Sequence, residues 1–479
     1  MNPKYFLLIL LLTFVNITSC RKYIEVDAPK NSTNSINVYS DNTTAAAVLT
    51  GIYTSLSLNT FTSSPSFNSL SFFAGLSADE FTLYSSVVNL VQISYYSNTL
   101  NSGASGTAAG PEFWNTAYPI VYRANSAIEG LSNSSQLSDN VKQQLLGEAK
   151  FIRALSYFYL TNLYGDVPLT LTSDVTVNAS SPRSPKQDVY QQIITDLKDA
   201  QQLLSSNYVG SDAITATTER TRPNKWVATA LLSRVYLYNK DWQNAEDQAT
   251  SLISQQSIYD TVSFSSSIKV FDKNSKEAIW QLQPVKTGQN TPDAISFILP
   301  SSGPGPTFPV YLRDTLLAAF EFGDKRKTNW TSSVTASGKT YYYPYKYKVN
   351  SSTAPLTEYV MVFRLAEQYL IRAEARALQN KIADAQTDLN VIRKRAGLST
   401  TNANDQPSLL AAILHERQVE LFSEWGHRWF DLKRTDNVDA VMSGITPKKG
   451  GTWETTDKLY PLPVTDVQRN INIEQNQGY

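Results

Sequence analysis

Cysteine is nearly missing from this 479-residue chain: there is one, Cys20, close to the N-terminus. An internal disulfide framework is therefore impossible, and so is a cysteine-based zinc site. Histidine is almost as scarce, with only His415 and His427. His415-Glu416 opens like a zinc-protease helix, but the second ligand position holds Val419 rather than histidine. Both histidines therefore read as surface or capping residues. An excess of either charge is lacking too, since Lys plus Arg total 42 and Asp plus Glu total 42. That balance carries no footprint of a nucleic-acid binder, and no such partner is expected. A Gly-x-Ser-x-Gly elbow, a phosphate loop, a dinucleotide fingerprint and a calcium-hand loop are all absent, and no cofactor or metal is expected.

What is present is apolar material for a large core: 42% of residues are hydrophobic and 18% are charged, a composition that argues against general disorder. Carboxylates are plentiful, so a two-acid glycoside hydrolase is the enzymatic rival to a binding role. Glu416, Glu420 and Glu424 fall at i, i+4 and i+8 of one predicted helix, among Arg417, Arg428 and Arg434. Such an array reads as an ion-pair stripe bracing helices rather than an acid–base pair.

The first apolar stretch covers residues 6–15, follows Lys4 and is interrupted by Thr13. It is shorter than the roughly 20 residues needed to cross a bilayer. It runs into Ile17-Thr18-Ser19-Cys20, small residues before a cysteine, in the layout of a bacterial lipobox. Residues 1–19 are thus predicted to be a lipoprotein signal peptide, with Cys20 lipidated. Residues 20–40, rich in Asn, Ser and Thr, read as a flexible tether, and 41–479 as a single folded domain.

Helical periodicity begins at 41–58, with Ala45, Val48, Leu49, Ile52, Tyr53 and Leu56 on one face. It recurs over 111–131 and 138–164, where Gly165 and Pro168 signal a stop. Ser184-Pro185-Lys186-Gln187 looks like a capping box opening a helix with Val189, Ile193, Leu197, Ala200 and Leu204 on its stripe. Two helical hairpins, 223–255 and 364–396, match at a constant offset. Leu231, Val235, Tyr238, Trp242, Ala245, Ala249 and Leu252 answer to Ile371, Ala375, Leu378, Ile382, Ala385, Leu389 and Ile392. Small residues where helices approach, flanked by larger ones, suggest tetratricopeptide-like repeats, with an irregular helical bundle as the alternative. Residues 60–110 and 259–359 do not fit the array. They are rich in Ser, Asn and aromatics, and the second holds Gly303-Pro304-Gly305-Pro306 and a cluster at Tyr341, Tyr342, Tyr343, Tyr345 and Tyr347. Long irregular segments on a rigid scaffold are where a ligand is expected.

Taken in order, several stretches resemble the SusD/RagB family of Bacteroidetes outer-membrane lipoproteins. They are Tyr23-Ile24-Glu25-Val26-Asp27, Leu76-Ser77-Ala78-Asp79-Glu80, GEAKFIRALSYFYLTNLYGDVPL (147–169), DVYQQIITDL (188–197), FRLAEQYLIRAEA (363–375), IRKRAGL (392–398), HERQVELFSEWGHRWFDLKR (415–434), Tyr460-Pro461-Leu462-Pro463 and the terminal Gln475-Asn476-Gln477-Gly478-Tyr479. The resemblance implies a mainly α-helical, SusD-like fold with about four tetratricopeptide-like hairpins and a loop-rich binding region with short strands. It implies a non-enzymatic, cell-surface lipoprotein that lids a SusC-like TonB-dependent transporter and captures oligosaccharides or, in some members, peptides. Arg153, Glu374, Arg395, Glu416 and Arg417 then read as buried pairs joining helices. Sugars bind through aromatic platforms edged by polar donors. The aromatic candidates are Phe81, Tyr84, Tyr95 and Tyr96 in the first irregular stretch, and Phe308, Tyr311, Trp330 and Tyr343 in the second. The polar candidates are Asp79, Asn98, Asn101 and Arg313.

Overall fold

The structure is a computed structural model, and residues 38–57, 69–267 and 269–479 are described. Cys20, the predicted signal peptide, most of the tether and the Tyr23–Asp27 motif lie outside the described residues. So do residues 60–68 of the first irregular stretch.

Helix α1 (Asn42–Ser57) starts where the Asp41 carboxylate accepts the amides of Thr43 and Thr44 at 2.9 and 3.1 Å. Its apolar face buries Ala45, Leu49, Ile52 and Leu56. Next come α2 (Leu70–Ser77), β1 (Phe81–Leu83) and α3 (Leu90–Ser97), so the described part of the first irregular stretch holds two short helices and a strand.

A row of long helices then forms the body: α4 (Glu112–Asn133), α5 (Asp139–Tyr164), α6 (Lys186–Leu203), α7 (Lys225–Tyr238) and α8 (Trp242–Ile253). Each packs on the next along the row. The stripe of α6 is buried as its spacing predicts, but the capping box at its start does not form. Ser184 is drawn into a two-residue bridge with Val167, and the Lys186 amide donates instead to the Asp166 carboxylate at 2.8 Å. A nearby acid outside the local motif has taken the cap's role.

The second irregular stretch contributes β2 (Ala278–Leu282), α9 (Pro292–Phe297), β3 (Val310–Leu312), α10 (Asp314–Ala319), α11 (Lys325–Trp330) and the strands β4 (Thr331–Ala336) and β5 (Lys339–Pro344). The helical row resumes after β6 (Val360–Arg364) with α12 (Leu365–Leu378), α13 (Ile382–Arg395), α14 (Gln406–Leu421) and α15 (His427–Arg434). Helix α12 packs on α8, so the interruption loops out of the row without breaking it.

The two matching hairpins turn in the same way. Lys240 and Asn380 take left-handed φ of 60° and 61°. Asp241 donates to the Tyr236 carbonyl as Lys381 does to that of Arg376. The shared sequence pattern therefore produces the same backbone hydrogen bond twice.

Helix contacts are braced by ion pairs, as the stripe predicts. Arg153 meets Asp196 at 2.7 Å, Arg234 meets Glu367 at 2.6 Å, Arg417 meets Asp431 at 2.7 Å, and Arg434 bridges Asp431 and Glu374. His427 corrects the sequence reading: it is buried rather than a surface residue. Burial, aided by the charges of Arg234 and Arg417, holds its ring well below the ordinary histidine value, so it is neutral. His415 is half-buried, with Nε2 2.8 Å from the Ala319 carbonyl.

Candidate functional site

Two antiparallel pairings bring the irregular stretches together. β1 pairs with β3 (Phe81 with Leu312, Thr82 with Tyr311, Leu83 with Val310), and the ladder continues where Tyr84 donates to the Pro309 carbonyl at 2.7 Å. β4 and β5 form a hairpin whose two-residue turn, Ser337-Gly338, has positive φ at both positions. That geometry matches the right-handed twist of the strands, and glycine at the second position adopts it without steric cost. Strand alternation decides which tyrosines are inside: Tyr341 and Tyr343 point inward and are buried, while Tyr342 points to solvent.

These rings form a cluster separate from the main core. Tyr311 and Tyr84 stand edge-on to Tyr341, with centroids 5.0 and 6.2 Å away, and Tyr343 stands edge-on to Tyr345 at 6.0 Å. Leu299, Ile298, Phe308 and Val334 fill in around them. The loop holding Phe308 lies tightly on the hairpin, because a Cβ on Gly303 would come within 2.9 Å of the Ala336 methyl. Lys339 Nζ sits 5.1 and 5.0 Å from the centroids of Tyr311 and Tyr341 and 3.3 Å from the Tyr311 hydroxyl. Arg313 is partly exposed, two residues beyond Tyr311. Its amide donates to the Glu80 carbonyl, while its side chain has no partner among the described residues.

Of the residues predicted from sequence, the structure thus unites Tyr84, Phe308, Tyr311 and Tyr343, and Arg313 follows Tyr311 by two residues in the chain. The others have structural partners. Asp79 is buried and held by Arg428 at 2.7 and 2.8 Å. Burial opposes its charge, but the Arg428 contact prevails and keeps its carboxyl below the ordinary range. Phe81 is buried against Phe297, and Tyr95 is buried against Phe73 with its hydroxyl on Glu112. Asn98 closes α3 in a left-handed conformation, giving its amide to the Ser77 carbonyl and accepting from Thr446. Asn101 holds its own loop through Gly103 and Ser105, and Tyr96 lies half-buried under Lys449.

Trp330 belongs to a different cluster. It is buried beside Lys346, Arg364 and Arg395, with its ring centroid 5.0–5.6 Å from their charged groups. Those cations meet the carboxylates of the predicted stripe. Arg326 reaches Glu416 at 2.6 Å and Glu420 at 3.0 Å; Arg364 reaches Glu424 at 2.8 Å and also Glu420; Arg395 joins Glu277 and Glu420. Burial disfavours the charge on Glu420, yet Arg395, Arg364 and Arg326 together hold its carboxyl far below the ordinary range. Glu416, Glu420 and Glu424 are therefore buried and ion-paired, which leaves none of them placed as a proton donor to a substrate.

Sequence reasoning passed over Lys339, which stands next to the tyrosine run, one residue after the turn glycine. The available signal was the period-two spacing of Tyr341 and Tyr343 behind a Ser-Gly turn, which sets an inward face. Among the described residues, no three His, Cys, Asp or Glu side chains are grouped to hold a metal ion, and no helix is long and apolar enough to cross a membrane.

Comparison with known proteins places this arrangement. Residues 23–237 match a family described as "Starch-binding associating with outer membrane", and residues 320–479 match one described as "SusD family". A SusD-like protein P2 of Formosa agariphila is 27% identical over 425 residues, covering 77% of this chain and 80% of that protein. A SusD superfamily crystal structure from Bacteroides vulgatus superposes with a TM-score of 0.77 at 20% identity, covering 92% of this chain and 99% of the other. A laminarin-binding SusD-like protein gives a TM-score of 0.72 at 22% identity, covering 91% of this chain and 99% of that one. With both parts of its sequence matched and its fold shared along nearly its whole length, this chain belongs to the SusD/RagB family.

Proposed function

We propose that this protein captures oligosaccharides on the face where Tyr84 and Tyr311 stand partly exposed over the buried Tyr341 and Tyr343, without transforming them. It then acts as the lid of a SusC-like TonB-dependent transporter, held on the cell-surface side of the outer membrane by a lipid on Cys20. The observation that carries the reading is the joining of two distant segments to gather tyrosines on a fixed strand scaffold. Tyrosine offers a ring for a sugar's C–H face and a hydroxyl for its edge. The starch-binding description of the matched family supports the ligand class, and the laminarin-binding neighbour is a relative in fold with a carbohydrate ligand.

A Tyr84→Ala/Tyr311→Ala double variant tests it. Both rings are partly exposed, so the fold should survive. Affinity for whichever member of a glycan panel the wild type binds should fall about tenfold or more, in line with the loss of stacked aromatic contacts. Unchanged affinity would refute the site. Binding of a peptide pool instead of the glycan panel would assign the lid to peptides.

A further inference from the structure

The segments that build the tyrosine face, 81–86, 308–314 and 331–345, contain six tyrosines, two phenylalanines and only three charged residues, Arg313, Asp314 and Lys339. Asp314 sits in the first turn of α10, where the helix dipole favours a carboxylate. It also lies within electrostatic reach of Lys339, but forms no ion pair with either cation among the described residues. Lys339 is exposed, forms no ion pair among the described residues, and has the Tyr311 hydroxyl as its hydrogen-bond partner. That contact raises its ammonium above the ordinary lysine value, so it stays charged well beyond neutral pH. Arg313 has an extended backbone, with φ −74° and ψ 145°, so it follows the two-residue alternation that places Tyr311. The cations of the buried junction are different: Lys346 meets Glu424, and Arg364 and Arg395 each meet two or more carboxylates.

We infer that the tyrosine face selects glycans bearing carboxylate or sulfate groups, with Lys339 and Arg313 meeting the anion while the rings carry the sugar faces. This rests on the glycan-capture reading above and names its substrate class. An exposed ammonium between two rings is already positioned by them, so recruiting it to an anion costs little further ordering. A guanidinium adds a planar fork that fits either group. Because both charges are open to water, their contribution is screened by salt over a Debye length of about 8 Å at physiological ionic strength.

The test uses isothermal titration of the protein with three oligosaccharide sets of equal length, one neutral, one of uronic acids and one sulfated, at low and at high salt. At low salt, at least one anionic set should bind about tenfold tighter than the neutral set, and that advantage should shrink at high salt. The two anionic arms show which group is preferred. A Lys339→Gln/Arg313→Gln variant should lose the anionic advantage, and Lys339→Arg/Arg313→Lys should retain most of it. A neutral set bound as tightly as both anionic sets overturns the inference alone and leaves glycan capture standing. An anionic advantage untouched by the glutamine variant also overturns it. Binding of no set by the wild type overturns the glycan reading and this inference together.

Discussion

Two regions of this molecule place cations over aromatic rings, and they do opposite things with them. In the junction between α11, β6, α13 and α14, Lys346, Arg364 and Arg395 surround the buried Trp330 and are answered by Glu277, Glu420 and Glu424. On the tyrosine face, Lys339 lies over Tyr311 and Tyr341 in the open, with no carboxylate in ion-pair contact among the described residues. The same pair of residue types is architecture where ion pairs close it inside, and the proposed ligand contact where no ion pair closes it outside. The accompanying acids, rather than the aromatics, tell the two apart.

The sharpest way to break the junction is to remove the carboxylate it is built around. Glu420 meets Arg326, Arg364 and Arg395 at once, and it is fully buried. A Glu420→Ala substitution leaves three buried guanidinium groups short of a partner. It should destabilise the protein by about 5 kcal/mol, the upper part of the range for breaking a buried pair. Denaturant unfolding measures this. A loss below about 1 kcal/mol would place the stripe in the class of surface ion pairs and erase the distinction.

Trp330 tests the comparison from the aromatic side. It packs against Phe264 and Phe271 with centroids 5.3 and 5.5 Å away, beneath the junction cations. Trp330→Ala should cost about 4 kcal/mol of stability through cavity formation. Tyr311→Ala on the open face should cost far less and act on ligand affinity. Thermal unfolding of the two variants side by side gives the contrast, and equal shifts in melting temperature would remove it.

Trp330 also shows where reading the sequence stops. The helical row was legible because its signals are local: the stripe of α6, the matched hairpins and the Glu416–Glu420 spacing on α14 survive in the structure. But α14 ends at Leu421, so Glu424 lies in the turn before α15 rather than one helical turn further on. Whether an aromatic in an irregular stretch is inside or outside is not local. Strand β1 meets β3 from the far side of the intervening helical row. That pairing sends Phe81 inward while it brings Tyr84 to Tyr341, and no pattern within either stretch encodes it. His427 was misread for the same reason, since its cover comes from residues distant in sequence such as Arg234 and Glu367. The capping box failed because Asp166, a residue outside the motif, reached the amide instead.

Beside the junction lies a buried carboxylate that no ion pair answers among the described residues. Asp293, in the first turn of α9, is buried with Oδ2 lacking any hydrogen-bond partner. Burial pushes its carboxyl up to about 8; Glu424 and Glu358 push the same way, and Lys346 opposes them. Its ordinary value when unfolded is about 3.9, so between roughly pH 4 and 8 the folded state holds a proton that the unfolded state has released. The stability this contributes is complete at the acid end and is lost as pH rises through that window. Asp293→Asn keeps the shape and stays neutral. It should therefore match the wild type near pH 4 and exceed it by a margin that grows up to about pH 8 in denaturant unfolding. Glu80, also raised to about 8, with burial the largest cause and despite the Ser423 amide it accepts, preserves part of the wild-type decline in the variant. Parallel stability curves for the two proteins would mean that Asp293 has a counter-charge after all.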